Sequence, residues 1–367
     1  MTAIATTEAT ASAGAKKQPL TPQPIRPSQG PLKSSWHTSA NKKLWGPYHW
    51  LIHLLGIDPL PENATAVIHE KGDKVPVWNN AQLHVWIAMR ILPAFAFQYA
   101  YTQWVGRSFH PLVNVLFWSS TIGFLGVNLV NSLRKLTTKV GFLQPQVTRD
   151  GIPDLKVTQV VHSLLMPAFF RPAAATYIIY NRDAPVTLSP WLPLMIPAFS
   201  LAVDFWFYWY HRIMHESDTL WKYHSTHHKA KHPTTVLTLY ADTEQEWFDV
   251  LFVPLLAYYT LRPIFAMSFF DWMVCWIHVI FIELIGHSGL RIAGSAPAFD
   301  LIPMMKTFDV DLVIEDHDNH HSRGWKKSGN YGKQTRVWDR LFGTVLPRVE
   351  VLDHLIDTSD KVNLPQF

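Results

Sequence analysis

The stretch DFWFYWYHRIMH, Asp204–His215, begins as an apolar, aromatic run and finishes on two histidines four positions apart. It closes a longer apolar segment, Leu188–Tyr210, about the 20 residues a helix needs to cross a hydrocarbon core. In a helix, positions i and i+4 lie about 40° apart on one face. His211 and His215 therefore project together from the end of a membrane helix.

Composition agrees with a lipid environment. Charged residues are 16% of the 367, against roughly 25% in an average globular domain. Aromatics reach 13%, with 16 Trp, and Trp and Tyr collect at membrane interfaces. A net charge of +4 is too small and too scattered to suggest nucleic acid. Cys275 is the single cysteine, which excludes an intrachain disulfide framework and a thiolate zinc cluster. The first 35 residues are small, polar and proline-rich, which predicts a disordered arm with no apolar signal region.

Further spans are expected at Leu83–Val105 and Pro111–Leu133, with Trp247–Leu261 and Pro263–Gly286 as a hairpin of one short and one full span. Val157–Tyr180 is ambiguous because Arg171-Pro172 interrupts it, and a charge at mid-bilayer costs about 2.5–3.5 kcal/mol on insertion scales. Arg134, Lys135 and Lys139 place the end of the second span in the cytoplasm, and Arg212, Lys222, Lys229 and Lys231 do the same after Tyr210. Two cytoplasmic ends need an even number of crossings between them, so Val157–Tyr180 is expected to cross, with an interfacial helix as the alternative. The sequon at Asn63 then lies in the cytoplasm, unglycosylated. The predicted fold is all-α: a multi-pass bundle of four to six spans with a cytoplasmic, histidine-rich helical cap. Its expected parts are an arm (1–35), a two-span membrane region (36–156), a catalytic region (157–347) and a tail (348–367).

Two more histidine groups follow: HSTHH, His224–His228, and HDNHH, His317–His321. Both have i, i+3, i+4 spacing, which in a helix aims His224, His227 and His228 one way and His317, His320 and His321 likewise. Each group alone is weak; three groups on one side of a membrane point to metal. Eight imidazoles exceed the three or four ligands of a zinc site, so two ions are expected, and imidazole suits iron, copper or zinc. A site beside lipid, without phosphate or peptide machinery, favours redox chemistry over hydrolysis, and two irons activating dioxygen is the economical reading.

With DFWFYWYHRIMH, LWKYHSTHHKAKHP, HDNHH and the closing NYGKQTRVWDRLFGT in this order, the chain resembles the fatty acid hydroxylase/sterol desaturase superfamily of membrane di-iron enzymes over roughly Leu188 to Pro347. The resemblance implies that His211, His215, His224, His227, His228, His317, His320 and His321 ligate two iron ions. It adds a ninth ligand, His287 in IELIGHSG. His278 and His232 are left out, the first on the far side of its helix and the second beside Pro233. Asp204, two turns before His211, is expected to accept a hydrogen bond from a ligand imidazole, the alternative being a polar cavity residue; Glu283, one turn before His287, is read the same way. Trp338 and Asp339 are read as structural.

The resemblance further implies O2-dependent oxidation of an unactivated C–H bond on a lipid, with electrons from NAD(P)H through cytochrome b5 and its reductase in the endoplasmic reticulum membrane. Lys326, Lys327, Lys333 and Arg336 offer a basic cytoplasmic surface for that acidic donor, or merely enforce topology. A fatty-acyl or related long-chain lipid is the expected substrate, because LTLYADTEQEW after the second group does not match the sterol-acting members; a sterol oxidase or desaturase stands next. A histidine-rich metal transporter is the alternative of another class, although transporters place their ligands near mid-membrane.

Overall fold

A computed structural model describes residues 22–25, 32–61, 63–147, 149–238, 240–294 and 302–366. In chain order the elements are β1 (Gln23–Pro24), α1 (Pro47–Leu54), β2 (Thr65–Ala66), β3 (Val75–Trp78), α2 (Asn80–Val105), α3 (Pro111–Val140), α4 (Val157–Ile178), α5 (Leu192–Glu216), α6 (Trp221–His224) and α7 (Thr243–Trp247). A π-helical turn (Phe248–Phe252) leads into α8 (Val253–Leu261), followed by α9 (Phe269–Gly286), α10 (Ile302–Thr307), α11 (Ile314–Arg323), α12 (Val337–Phe342) and β4 (Ile356–Val362).

The protein is mostly helical, and the local sequence explains where the long helices stop. The Asn79 side chain accepts from Gln82 N–H to cap α2, which ends on Gly106 in the left-handed region (φ 78°). Pro111 opens α3, and Gly141 (φ 63°) closes it. A Cβ at Gly141 would lie 2.2 Å from the Val67 carbonyl oxygen, so only glycine lets that chain pass. Helix α9 starts on a reciprocal pair: Ser268 Oγ accepts from Asp271 N–H at 3.1 Å, and Asp271 Oδ2 accepts from Ser268 N–H at 3.0 Å.

By length and composition α3, α5 and α9 are able to cross a membrane. Helices α2 and α4 are long enough but less apolar: Arg90 and Gln98 in α2 and Arg171 in α4 are turned into the bundle and buried. The short span expected at Trp247–Leu261 is divided between the end of α7, the π turn and α8. Helix α9 lies in the middle, against α3, α4 and α5, and nearly all of its residues are buried. Large apolar side chains such as Trp104, Leu116, Phe169, Leu194 and Phe252 are exposed on the surrounding helices, as a lipid-facing surface requires.

The end of the bundle away from the histidines is tied by a buried polar network. Gln98 Nε2 donates to Ser108 Oγ and Asn114 Oδ1 (2.8 and 2.9 Å), its Oε1 accepts from Trp118 Nε1 (2.9 Å), and Asn114 Nδ2 donates to Thr176 Oγ1 (2.9 Å).

The fold is mostly helical, as expected, and adds two small sheets that the all-α expectation lacked: β1 pairs with β2 antiparallel, and β3 pairs with β4 parallel, with a bulge between Pro76 and Val77. Most of the expected disordered arm, 1–21 and 26–31, lies outside the described residues. Of the remainder, Gln23 and Pro24 are exposed, whereas Leu32 is buried and Asp154 accepts from the N–H groups of Ser35 and Trp36. The final residues dock on α2 and α3, where the Pro365 carbonyl accepts from Trp86 Nε1 (2.8 Å) and Ser132 Oγ (2.9 Å).

Candidate metal centre

Four segments converge at one end of the bundle. Helix α5 brings His211 and His215; α6 and the 3-10 turn after it bring His224, His227 and His228; α9 ends on His287; and α11 carries His317, His320 and His321. All nine imidazoles are at least 94% buried. Their ring nitrogens form two clusters, His211, His215, His224, His228 and His320 in one and His227, His287, His317 and His321 in the other, with the ligand atoms of each cluster within 4.8 Å of one another.

This sorting corrects the expectation that each HxxHH group aims as a unit. The HSTHH segment is not one helix, and the 3-10 turn sends His227 to the second cluster while His224 and His228 join the first. HDNHH does lie within α11, yet His317 and His321 face the second cluster and His320 the first. Each of these two motifs contributes to both clusters, whereas His211 and His215 both join the first.

Seven of the nine rings are oriented through Nδ1 by an oxygen acceptor. The carbonyls of Tyr331, Trp325 and Gly329 take His211, His215 and His320 at 2.9, 2.5 and 2.8 Å. Gln245 Oε1 takes His224 at 2.9 Å, and the carbonyls of Tyr240, Glu283 and Ala230 take His227, His287 and His321 at 3.2, 2.8 and 2.8 Å. A proton held at Nδ1 leaves the lone pair on Nε2, and the Nε2 atoms point at each other. Neighbouring pairs are separated by 2.9 Å (His211–His224), 3.1 Å (His224–His228), 3.0 Å (His228–His320), 2.8 Å (His287–His317) and 3.1 Å (His317–His321). Two nitrogens bound at right angles to one ion at about 2.1 Å would be about 3.0 Å apart. Burial, reinforced by neighbouring imidazoles, holds His224, His227, His228, His287, His317 and His321 well below the usual histidine range, and burial takes His320 to about 4. Neutral, converging lone pairs, including the buried and unpartnered His215 Nε2, suit cations.

The carbonyls that orient the first cluster come from one loop, 325–331, followed by a turn that two buried carboxylates hold. Asp204 accepts from the N–H groups of Lys333, Gln334 and Thr335 (2.6, 3.0 and 3.1 Å) and from Thr335 Oγ1 (2.7 Å). Asp339 accepts from the N–H groups of Tyr331 and Gly332, both at 2.7 Å, and burial raises its carboxyl to about 6. Asp204 thus does not meet an imidazole as expected; it acts through the loop. Glu283 is corrected in the same sense: its backbone carbonyl holds His287, while its carboxylate faces Lys333 Nζ at 3.6 Å and Arg171 Nη2 at 3.8 Å.

The acids around HDNHH are occupied too. Asp316 accepts from Val313 N–H and Arg348, Asp318 is paired with buried Arg149, and Glu315 takes the N–H groups of Val349, Glu350 and Val351. Of the expected basic surface, Lys326 and Lys327 are exposed, whereas Lys333 and Arg336 are buried, Arg336 against Asp309 and Asp316. His278 and His232 belong to neither cluster. Sequence reasoning missed Gln245 and the loop carbonyls. Spacing carries no sign of a backbone acceptor, but Gln245 and Asp249 at i, i+4 just beyond HSTHH were visible as a polar pair opening an apolar segment.

A family profile for fatty acid hydroxylases matches residues 196–344, which contain all nine histidines. The matched stretch is a fatty acid hydroxylase domain, of the fatty acid hydroxylase/sterol desaturase superfamily. Among relatives of this superfamily, it is 38% identical over 228 residues to a fatty acid hydroxylase of Lecanicillium sp, covering 60% of this chain and 62% of the relative. An alkylglycerol monooxygenase of Xenopus tropicalis is 30% identical over 228 residues (59% and 46%), and a methylsterol monooxygenase of Arabidopsis thaliana is 32% identical over 152 residues (38% and 52%). The chain spans less than two thirds of the length of each of these relatives. No solved structure matches it.

Proposed function

We propose that this superfamily member is an O2-dependent membrane hydroxylase with two iron ions, oxidising a C–H bond of a fatty-acyl or related long-chain lipid. His211, His215, His224, His228 and His320 would hold one iron, and His227, His287, His317 and His321 the other. The observation that carries this is the convergence of nine buried, neutral imidazoles in two adjoining sets, with seven Nδ1 atoms already committed to oxygen acceptors. Iron bound there supplies the reduction of dioxygen in RH + O2 + 2e− + 2H+ → ROH + H2O. The chain's own residues fix the imidazoles before metal arrives and exclude water from their surroundings.

The electrons come from outside, in this reading from cytochrome b5 and its NAD(P)H-dependent reductase. Exposed Lys326 and Lys327 follow Trp325, whose carbonyl holds His215, so a donor docked there lies close to the first centre. The catalytic region is taken as 157–347, with α2 and α4 crossing the membrane beside α3, α5 and α9, and the histidine end facing the cytoplasm at the endoplasmic reticulum. The likeness to a methylsterol monooxygenase favours sterol oxidation or desaturation as the second reading.

The test is metal analysis of the purified protein together with O2 uptake on adding lipid. Two irons per chain and lipid-dependent uptake are expected; zinc alone, or no bound metal, would sink the proposal. Product mass then separates the readings, a gain of one oxygen for hydroxylation and a loss of two hydrogens for desaturation.

A further inference from the structure

Between α1, α3, α4 and α9 runs a groove of about 190 Å³, almost wholly apolar, with Leu55 and Leu165 exposed among its walls. Gly123 and Gly126 of α3 line it, and a Cβ at either would meet nothing within 4 Å, so the groove passes where any side chain would fill it. Its inner end is polar: Arg171, Glu283 and Thr238. That end adjoins the four-histidine centre, since the Glu283 carbonyl holds His287 and the carbonyl of Tyr240, two residues past Thr238, holds His227.

Arg171 is 1% exposed. Its Nε and Nη2 donate to the carbonyls of Val250 (3.2 Å) and Asp249 (3.4 Å), and Nη2 lies 3.8 Å from Glu283 Oε2. Nη1 is buried with no hydrogen-bond partner. A buried N–H without an acceptor is costly, and a lipid oxygen would satisfy it. The guest's charge follows from the neighbours. Among the side chains there, two cations, Arg171 and Lys333, already stand with two acids, Glu283 and Asp249, so none of them is left over to pair with a carboxylate.

We propose that this groove binds the substrate as a lipid chain bearing an uncharged acceptor oxygen (ester, amide or ether), with that oxygen on Arg171 Nη1 and the chain running past Gly123 and Gly126 to the bilayer. The assignment rests on lipid being oxidised at the neighbouring centre, but its test needs neither electrons nor oxygen. Equilibrium binding of radiolabelled methyl palmitate and of palmitate to the full-length protein in detergent is measured at pH 8. The ester is expected to bind at least tenfold tighter than the acid. Gly126→Leu, which projects into open space, weakens ester binding at least tenfold; Arg171→Met, which removes the donor, weakens it at least tenfold too, and Arg171→Lys restores part of it. Equal binding of ester and acid, or unchanged ester binding in Gly126→Leu, overturns the proposal even if Arg171→Met does not fold. Ester binding that behaves as expected in a protein that consumes no O2 would overturn the oxygenase reading alone.

Discussion

The two histidine clusters are alike in burial and in the aim of their nitrogens, and unlike in what holds them. Three rings of the five-histidine cluster lean on carbonyls of a single loop, Trp325, Gly329 and Tyr331, and Asp204 and Asp339 hold the turn that continues it. The four-histidine cluster takes its acceptors from separate places, Tyr240, Ala230 and the last turn of α9 at Glu283. A change at one remote carboxylate can therefore disturb the first centre and spare the second, whereas no single segment holds the acceptors of the second.

The largest effect is expected from removing a ligand where the clusters meet. His320→Ala should lower lipid-dependent O2 uptake by more than about 100-fold and leave less than two irons per chain; full iron and activity would show that His320 is not a ligand. Asp204→Asn discriminates between the centres. By loosening the turn it should weaken metal at the five-histidine cluster by about 10–100-fold, leaving nearly one tightly held iron in a chelator titration. Simultaneous loss of both irons would break the comparison.

Acid should act on both clusters together. In metal-stripped protein, burial depresses the folded pKa of His224, His227, His228, His317 and His321 below the ordinary 6.5, and that of His320 to about 4. The unfolded chain then takes up protons that the folded chain refuses, so stability is complete above pH 6.5 and falls as pH drops toward 4. A thermal midpoint that rises on acidification over that window would contradict the neutral, buried assignment. Gln245→Leu should cost about tenfold in metal affinity at the first centre, since it frees one ring, His224. The smallest effect on metal is expected at the far end. Gln98→Leu leaves Trp118 Nε1 and Asn114 Oδ1 without their partner and should lower stability by about 1–3 kcal/mol in a denaturant titration, with iron content unchanged.

Much of this was readable from residue order. The apolar lengths at Pro111, Leu188 and Pro263 become the three most apolar long helices, and the three histidine motifs with His287 name every member of the two clusters. The sorting between clusters was not readable: at HSTHH a 3-10 turn at His227–Lys229 breaks helical spacing, and within α11 the two clusters divide one helical face, His320 going to the first and His317 and His321 to the second. The roles of Asp204 and Glu283 were misjudged for a related reason. A carboxylate two turns from a ligand suggests a side-chain contact, but a backbone amide has no signature in sequence, and Asp204 collects three of them. Arg171 was seen as an interruption in an apolar stretch; its partner, Glu283, lies on another helix and needed the packed bundle to be found.

The parallel pairing of β3 with β4 sets Val75 beside Ile356 and Trp78 beside Val362, which has a consequence for how the chain is made. On the ribosome the first of these strands and the helices after it emerge long before the second has been synthesised. The carbonyls of residues 325–331 likewise arrive after every histidine they orient. The five-histidine cluster is thus completed only after residue 331 has been made, and a nascent chain stopped just short of that loop would display all five histidines with three of their rings still free to turn.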